Sequence, residues 1–355
     1  MRLKTSQFIF AREYRGLSQT DVSKKIKGLS QSNLSKFEKG FDVLSESVIE
    51  SLIALLNFPK NFFYKEINID IEIAHYRKKS GLSKQIKTAL ESNNKFLGHL
   101  VDKLNEAVDY PEFSLRPLDP EEYSPEDIAK HTRSLLGLNK KEPVVDIFNK
   151  IEKSGIVVIE FDDVTEKFDG VSFLSGNGTP VIIINKNFSN DRKRFTLAHE
   201  LGHILMHITG GFPVPMHRTE KQKEDEANRF ASEFLMPELG IKNSLVNLKL
   251  YDLATLKKYW RTSKQAIMRR AKDLNCITDN TYRYLMIELS RLGERKVEKT
   301  LVDIDCPVIF ERAYRLHVDE LKYSIEDFCQ CFSLPEDAIK KYLNFEDRSK
   351  LRVLV

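Results

Sequence analysis

The stretch RKRFTLAHELGHILMH, residues 192–207, admits very few structures. His199 and His203 are four apart, so they share one face, one turn above the other, only on an α-helix. Phe195, Leu197, Ala198, Leu201, Ile204 and Leu205 supply the apolar background such a helix needs. Both imidazoles can then grip one Zn2+, while Glu200 reaches a water that the ion would activate. Upstream, IVVIEF leads into two further β-branched stretches, Gly170–Leu174 and Val181–Asn185, joined by the turn sequence SGNGT. A small sheet feeding a metal-binding helix is the expected setting. The bland alternative is a pair of core histidines satisfied by their neighbours.

A third ligand is expected about 20 residues on, in EDEANRFASEFLMP. Metalloproteases with a His/His/Glu set take the last ligand from a second helix and leave one position open for water. Ala227 and Ala231 are small enough to let that helix come close. Glu224 and Asn228 lie one turn apart on it. His207 continues the histidine stripe. A third histidine of the H-E-x-x-H-x-x-G-x-x-H pattern would fall at position 209, which is threonine. His207 therefore reads as a supporting residue, and Asn228 as an orienting group for Glu224 or nearby backbone. His217, in the loop between the helices, is read as an ordinary surface residue. These features imply metal-assisted peptide hydrolysis with Glu200 as the proton carrier.

The arrangement resembles the ImmA/IrrE family of zinc metallopeptidases, through RFTLAHELGH after a strand and E-x-E-A-N-x-F-A ending at Leu235-Met236-Pro237. The resemblance implies a zincin-like domain, His199, His203 and Glu224 as metal ligands, and Glu200 as catalytic residue. Glu226 stands second to Glu224 as ligand. Zn2+ is the implied ion, with Mn2+ or Fe2+ able to occupy the same donors. The resemblance further implies a regulator that relieves repression by cleaving a transcriptional repressor, in stress responses or mobile-element control; with a repressor-like segment on the same chain, the target is a partner protein or the chain itself, cut in the Pro-rich connector.

Charge separates the N-terminal segment from the rest. The whole chain carries 56 basic and 52 acidic side chains, and residues 1–65 hold 11 and 6 of them. The other 290 residues hold 45 and 46, so the head accounts for all the positive excess. Such asymmetry points to an anionic partner. Leu17-Ser18-Gln19 and Leu29-Ser30-Gln31 each place a serine N-cap before a short helix, with Gly28 and Gly40 closing the turns that follow. The segment resembles the Cro/C1-type (XRE-like) helix-turn-helix domain, with QSNLSKFEKG close to its recognition helix. The resemblance implies double-stranded DNA as partner. Gln31, Ser32, Asn33 and Lys36 would face bases or phosphates, and Gln19 would touch the backbone. A homodimer on a two-fold site is expected.

The chain thus reads as α+β and mostly α. The expected blocks are a helix-turn-helix bundle (1–65), a connector with a long helix near Leu82–Val108 (66–123), a peptidase domain (124–295) and a helical C-terminal region (296–355). IDIEIAHYRKKSG reads as a short strand with a basic cluster, Arg77-Lys78-Lys79, at a solvated helix start. The Pro-rich DYPEFSLRPLDPEEYSPED reads as a linker ending at an N-cap, Ser124, before Pro125. Arg269-Arg270 invites a second nucleic-acid reading, but the segment is expected to be the peptidase's helical companion, with Trp260 in the core. Helices are expected at Pro307–His317 and Ser324–Leu343. Four sparse cysteines read as reduced thiols, and Cys329-Gln330-Cys331 is too tight for a zinc site. The expected location is cytoplasmic, without a signal peptide or membrane span. Two alternatives stay open: a non-proteolytic transcription factor whose metal domain is a sensor, and an antitoxin-like regulator that binds a partner.

Overall fold

The structure is a computed structural model that describes residues 3–65, 84–162, 168–208 and 218–343. The expected strand and basic cluster at 69–81 lie outside the described residues, as do Thr209 and His217. Four short helices open the chain: α1 (Thr5–Tyr14), α2 (Gln19–Lys25), α3 (Gln31–Glu38) and α4 (Glu46–Leu56). Ser18 and Ser30 cap α2 and α3 by accepting the backbone N–H of Asp21 and Asn33. Gly28 and Gly40 follow with φ of +85° and +94°, a left-handed backbone that side-chain-bearing residues avoid. No single helix can bury its stripe alone. Phe8, Ala11, Val22, Leu34, Phe37 and Leu52 therefore close on one another and on Phe62 and Phe63.

The long helix α5 (Lys84–Asn105) is packed within the chain, with Phe96, Leu97, Leu100, Val101 and Leu104 all buried. Tyr14 of α1, Phe96 of α5 and Tyr342 stack in a column with centroid spacings of 5.0 Å at each step, and Tyr342 stacks on Phe161 at 5.4 Å. Each such pair contributes about 0.5–1.5 kcal/mol beyond the area it buries.

After α6 (Pro125–Leu135), capped by Ser124, and α7 (Ile147–Glu152) come the strands β1 (Val157–Phe161), β2 (Gly170–Leu174) and β3 (Pro180–Asn185). Their order is β1-β3-β2, with β1 parallel and β2 antiparallel to β3. Side chains alternate across a strand, so the sheet has two buried faces. Val157, Ile159, Phe161, Val171, Phe173, Val181 and Ile183 join the core of the head and α5. Val158, Ile182 and Ile184 join the core beneath α8 (Asn190–His203). That helix runs into a π turn at Ile204–Ile208 and packs on α9 (Glu220–Leu235). Gly202 permits the contact, since a Cβ there would lie 3.0 Å from the Phe230 ring.

The companion helices are α10 (Glu238–Leu245), α11 (Asp252–Trp260), α12 (Lys264–Asp273) and α13 (Asp279–Arg291), with Trp260 buried as expected. Arg270 is buried in an ion pair with Glu233 of α9, and Arg269 pairs with Asp273 on its own helix. Arg270 thus ties α12 to α9, while Arg269 stays on the surface of its own helix. The tail forms α14 (Ile309–Asp319), α15 (Ile325–Phe332) and α16 (Glu336–Tyr342). The single helix expected over Ser324–Leu343 is two, because Ser333 adopts φ +59° ahead of Pro335.

These tail helices rest on the head. Arg15 pairs with Asp337, Lys65 Nζ donates to Ser333 Oγ at 3.0 Å, and His99 Nε2 of α5 lies 3.1 Å from Phe332 O. Glu152 accepts the backbone N–H of Val308 and Ile309 at the start of α14, at 2.9–3.1 Å. Burial pushes its carboxyl up to about 7.

Candidate metal centre

The expected helix delivers His199 and His203 on one face, both nearly fully buried. Their Nε2 atoms lie 3.0 Å apart. Glu224, on α9, presents its carboxylate oxygens 3.5 Å from His199 Nε2 and 3.4 Å from His203 Nε2. Donors held about 2.0–2.1 Å from a tetrahedral zinc stand roughly 3.3–3.4 Å from one another, so the three atoms have the spacing of ligands around one ion. Among the described residues this is the cluster of His, Cys, Asp or Glu side chains able to hold a metal. Burial raises the Glu224 carboxyl, but hydrogen bonds with the two imidazoles outweigh it and hold the group well below the usual carboxylate range.

Glu200 is buried beside the cluster, and Ser172 Oγ of β2 donates to its Oε2 at 2.7 Å. The sequence reading did not single out Ser172. Its signal is visible in retrospect: a hydroxyl between Val171 and Phe173 on a strand that is otherwise apolar. Gly170 sits where a Cβ would come within 2.6 Å of Thr196 and 3.3 Å of Glu200, so the bare backbone makes room for the glutamate.

Asn228 is found on a different partner from the one expected. Its Oδ1 lies 3.1 Å from His199 Nδ1, so it supports a histidine and not Glu224, the ring's Nε2 being the atom turned to Glu224. His207 Nδ1 faces His203 Nδ1 at 3.0 Å, and His207 Nε2 faces Glu226 Oε2 at 2.9 Å. Burial pushes His207 down to about 4, against the raising effect of Glu226. Burial likewise raises Glu226, but His207 and Arg218 bring it below its ordinary value. Glu226 thus faces away from the three-atom cluster.

Residues 151–272 match the family model of peptidase M78, the IrrE N-terminal-like domain. The chain carries an IrrE-like peptidase domain. The matched span runs from α7 into α12 and contains the sheet, α8 and α9. Residues 11–61 match a helix-turn-helix domain, so the IrrE-like unit follows a helix-turn-helix unit on one polypeptide. No curated protein matches the chain.

On the helix-turn-helix unit, Gln31, Ser32 and Lys36 are exposed and Asn33 is half-buried. Gln31 Nε2 donates to Gln19 Oε1 at 2.7 Å, and Gln19 Nε2 donates to Glu38 Oε2 at 2.7 Å. Arg12 holds Glu38 from behind, with Nε donating to Oε1 at 2.6 Å. No described helix is long and apolar enough to cross a membrane.

Proposed function

We propose that this chain is a zinc-dependent endopeptidase tethered to a DNA-reading head, which controls gene expression by cutting a regulatory protein. The observation that carries the reading is the convergence of two imidazoles and one carboxylate from α8 and α9 with Glu200 alongside. His199, His203 and Glu224 would hold the ion, which when bound would supply Lewis acidity to a peptide carbonyl and lower the pKa of a water. Glu200, buried beside the cluster, is placed to take a proton from an attacking water and give it to the departing amine. Ser172 fixes the carboxylate while it does so. Mn2+ fits the same donors, and zinc is favoured by the two imidazoles.

In the head, Gln31, Ser32, Asn33 and Lys36 read double-stranded DNA, with Gln19 on the backbone and a homodimer on a two-fold site. The division into reader (1–65), connector (66–123), peptidase (124–295) and tail (296–355) belongs to this proposal. Cleavage of another protein is favoured over cutting within the Pro-rich connector. That segment is pinned: Ser114 N donates to Ser154 O, Leu115 is buried, and Pro120 O accepts from Arg218. A transcriptional repressor encoded beside this gene is the natural substrate.

The test incubates zinc-loaded protein with the products of adjacent genes. Metal-dependent cuts that vanish on chelation and in Glu200→Gln are expected. Intact proteins after prolonged incubation with zinc demonstrably bound would overturn the peptidase reading and leave a metal-sensing transcription factor.

A further inference from the structure

The two histidines of the cluster are supported in different ways. His199 leans on one neutral amide, Asn228. His203 begins a longer chain. Its Nδ1 faces His207 Nδ1, His207 Nε2 faces Glu226 Oε2, and Glu226 Oε1 lies 3.3 Å from Arg218 Nε. Arg218 then donates to Pro120 O at 2.8 Å and lies 3.0 Å from a carboxylate oxygen of Glu121. Side chains from α8, its π turn, α9 and the connector are thus joined in sequence.

The protons in this chain have one consistent order. An imidazole that gives Nε2 to a metal carries its hydrogen on Nδ1. The Nδ1 atoms of His203 and His207 are 3.0 Å apart, a contact that is a hydrogen bond only when one of them donates and the other accepts. With His203 as donor, His207 accepts on Nδ1 and carries its own hydrogen on Nε2. That hydrogen points at Glu226 Oε2, 2.9 Å away, whose other carboxylate oxygen lies against Arg218. Each link therefore selects the tautomer that the next one needs. The π turn over Ile204–Ile208 is a helix irregularity of the kind found at functional sites, and it carries the middle imidazole.

We propose that Glu226, held by Arg218, is a positioning residue that fixes the tautomer and aim of His203 through His207. The inference rests on the reading of His199, His203 and Glu224 as metal ligands. It makes the grip on the ion depend on a salt bridge anchored at connector residues 120–121. Removing an outer partner of a ligating histidine weakens metal binding by roughly 10–100-fold.

The test measures Zn2+ affinity of the full chain by competition with a chromogenic chelator, alongside the melting temperature of the metal-free protein. Wild type binds about one zinc and His203→Ala loses it. Failure of the wild type to bind overturns the metal reading itself, which separates that failure from failure of the relay. Glu226→Ala is expected to bind roughly 10–100-fold more weakly. His207→Phe should do the same, and the double variant should be no weaker than either single one, because both break one chain. His207→Gln should recover most of the affinity, since an amide can accept from His203 and donate to Glu226. Asn228→Ala acts through the other histidine, so its effect should multiply with that of Glu226→Ala. Zinc affinity of Glu226→Ala within about twofold of wild type, or multiplied effects of His207→Phe and Glu226→Ala, overturns the relay.

Discussion

Around His199 and His203 the supporting side chains come from elsewhere in the fold: Ser172 from β2, Glu224, Glu226 and Asn228 from α9, and Arg218 from just ahead of it. On the helix-turn-helix face the linked side chains Arg12, Glu38, Gln19 and Gln31 all belong to one small bundle, and the outermost of them is at the surface. The first network is centred on buried imidazoles and closed on its own chain. The second is braced from behind and open in front. A site that must hold an ion against water needs the first design, because every donor is set before the ion arrives. A face that must meet another macromolecule needs the second, since the partner completes the hydrogen bonds. Substitutions in the two regions should therefore differ in what they disturb.

The largest contrast is expected at Glu200. Glu200→Gln keeps the shape of the side chain and loses its basicity, so peptide cleavage should fall by roughly 10²–10⁴-fold with zinc content and melting temperature unchanged. Measured cleavage near the wild-type rate would break the assignment. In the head the large effect is on stability. Phe37 is buried beneath α3 and meets Phe8 edge-on at 5.1 Å. Phe37→Ala should cost about 3–5 kcal/mol of stability and abolish DNA binding, as read by thermal unfolding and by an operator shift assay.

A third effect belongs to the joint between α7 and the tail helix α14. The Glu152 carboxyl is pushed by burial from an ordinary value of 4.5 up to about 7. The folded chain then holds more protons than the unfolded one between those two values, so stability falls as pH rises through that window and levels above it. The loss from this group is on the order of 3 kcal/mol. Comparing melting temperatures of wild type and Glu152→Gln at pH 5 and pH 8 isolates it from Asp305, which titrates nearby at about 6. The wild type should lose ground to the variant as pH rises, and an unchanged gap would remove Glu152 from the account. Gln31→Ala and Asn33→Ala should come next. Each should weaken operator binding by about 1–3 kcal/mol while leaving the melting temperature in place. A large drop in stability would show that the open face is in fact structural.

How much of this was legible in the sequence follows from the same difference. The spacing of His199, Glu200 and His203 is a local property of one helix, so its geometry could be read before any packing was known. The N-caps Ser18, Ser30 and Ser124 were legible for the same reason. The packing of α14–α16 against α1 and α5 was not, because Arg15 and Asp337 are 322 residues apart and nothing local marks either as a partner. Asn228 was placed on the right helix but given the wrong neighbour. A one-turn offset from Glu224 says which face a residue shares and not which ring atom of another helix it will meet.

Ser172 carries the smallest and sharpest expectation. Its hydroxyl donates to a carboxylate in a buried site, and both residues lie on elements that packing has already fixed. Ser172→Ala removes that donor and little volume, so neither the strand nor α8 should move. Zinc affinity should be unaffected, because the serine touches none of the three donors in the cluster. Cleavage should slow by roughly five- to tenfold, about 1 kcal/mol, as Glu200 loses one of its restraints. Ser172→Thr keeps the hydroxyl and should recover part of the rate if the β-branched side chain fits the strand. Equal loss of zinc and of activity in Ser172→Ala would mean that β2 supports the metal cluster directly, and the division between a closed site and its proton carrier would have to be redrawn.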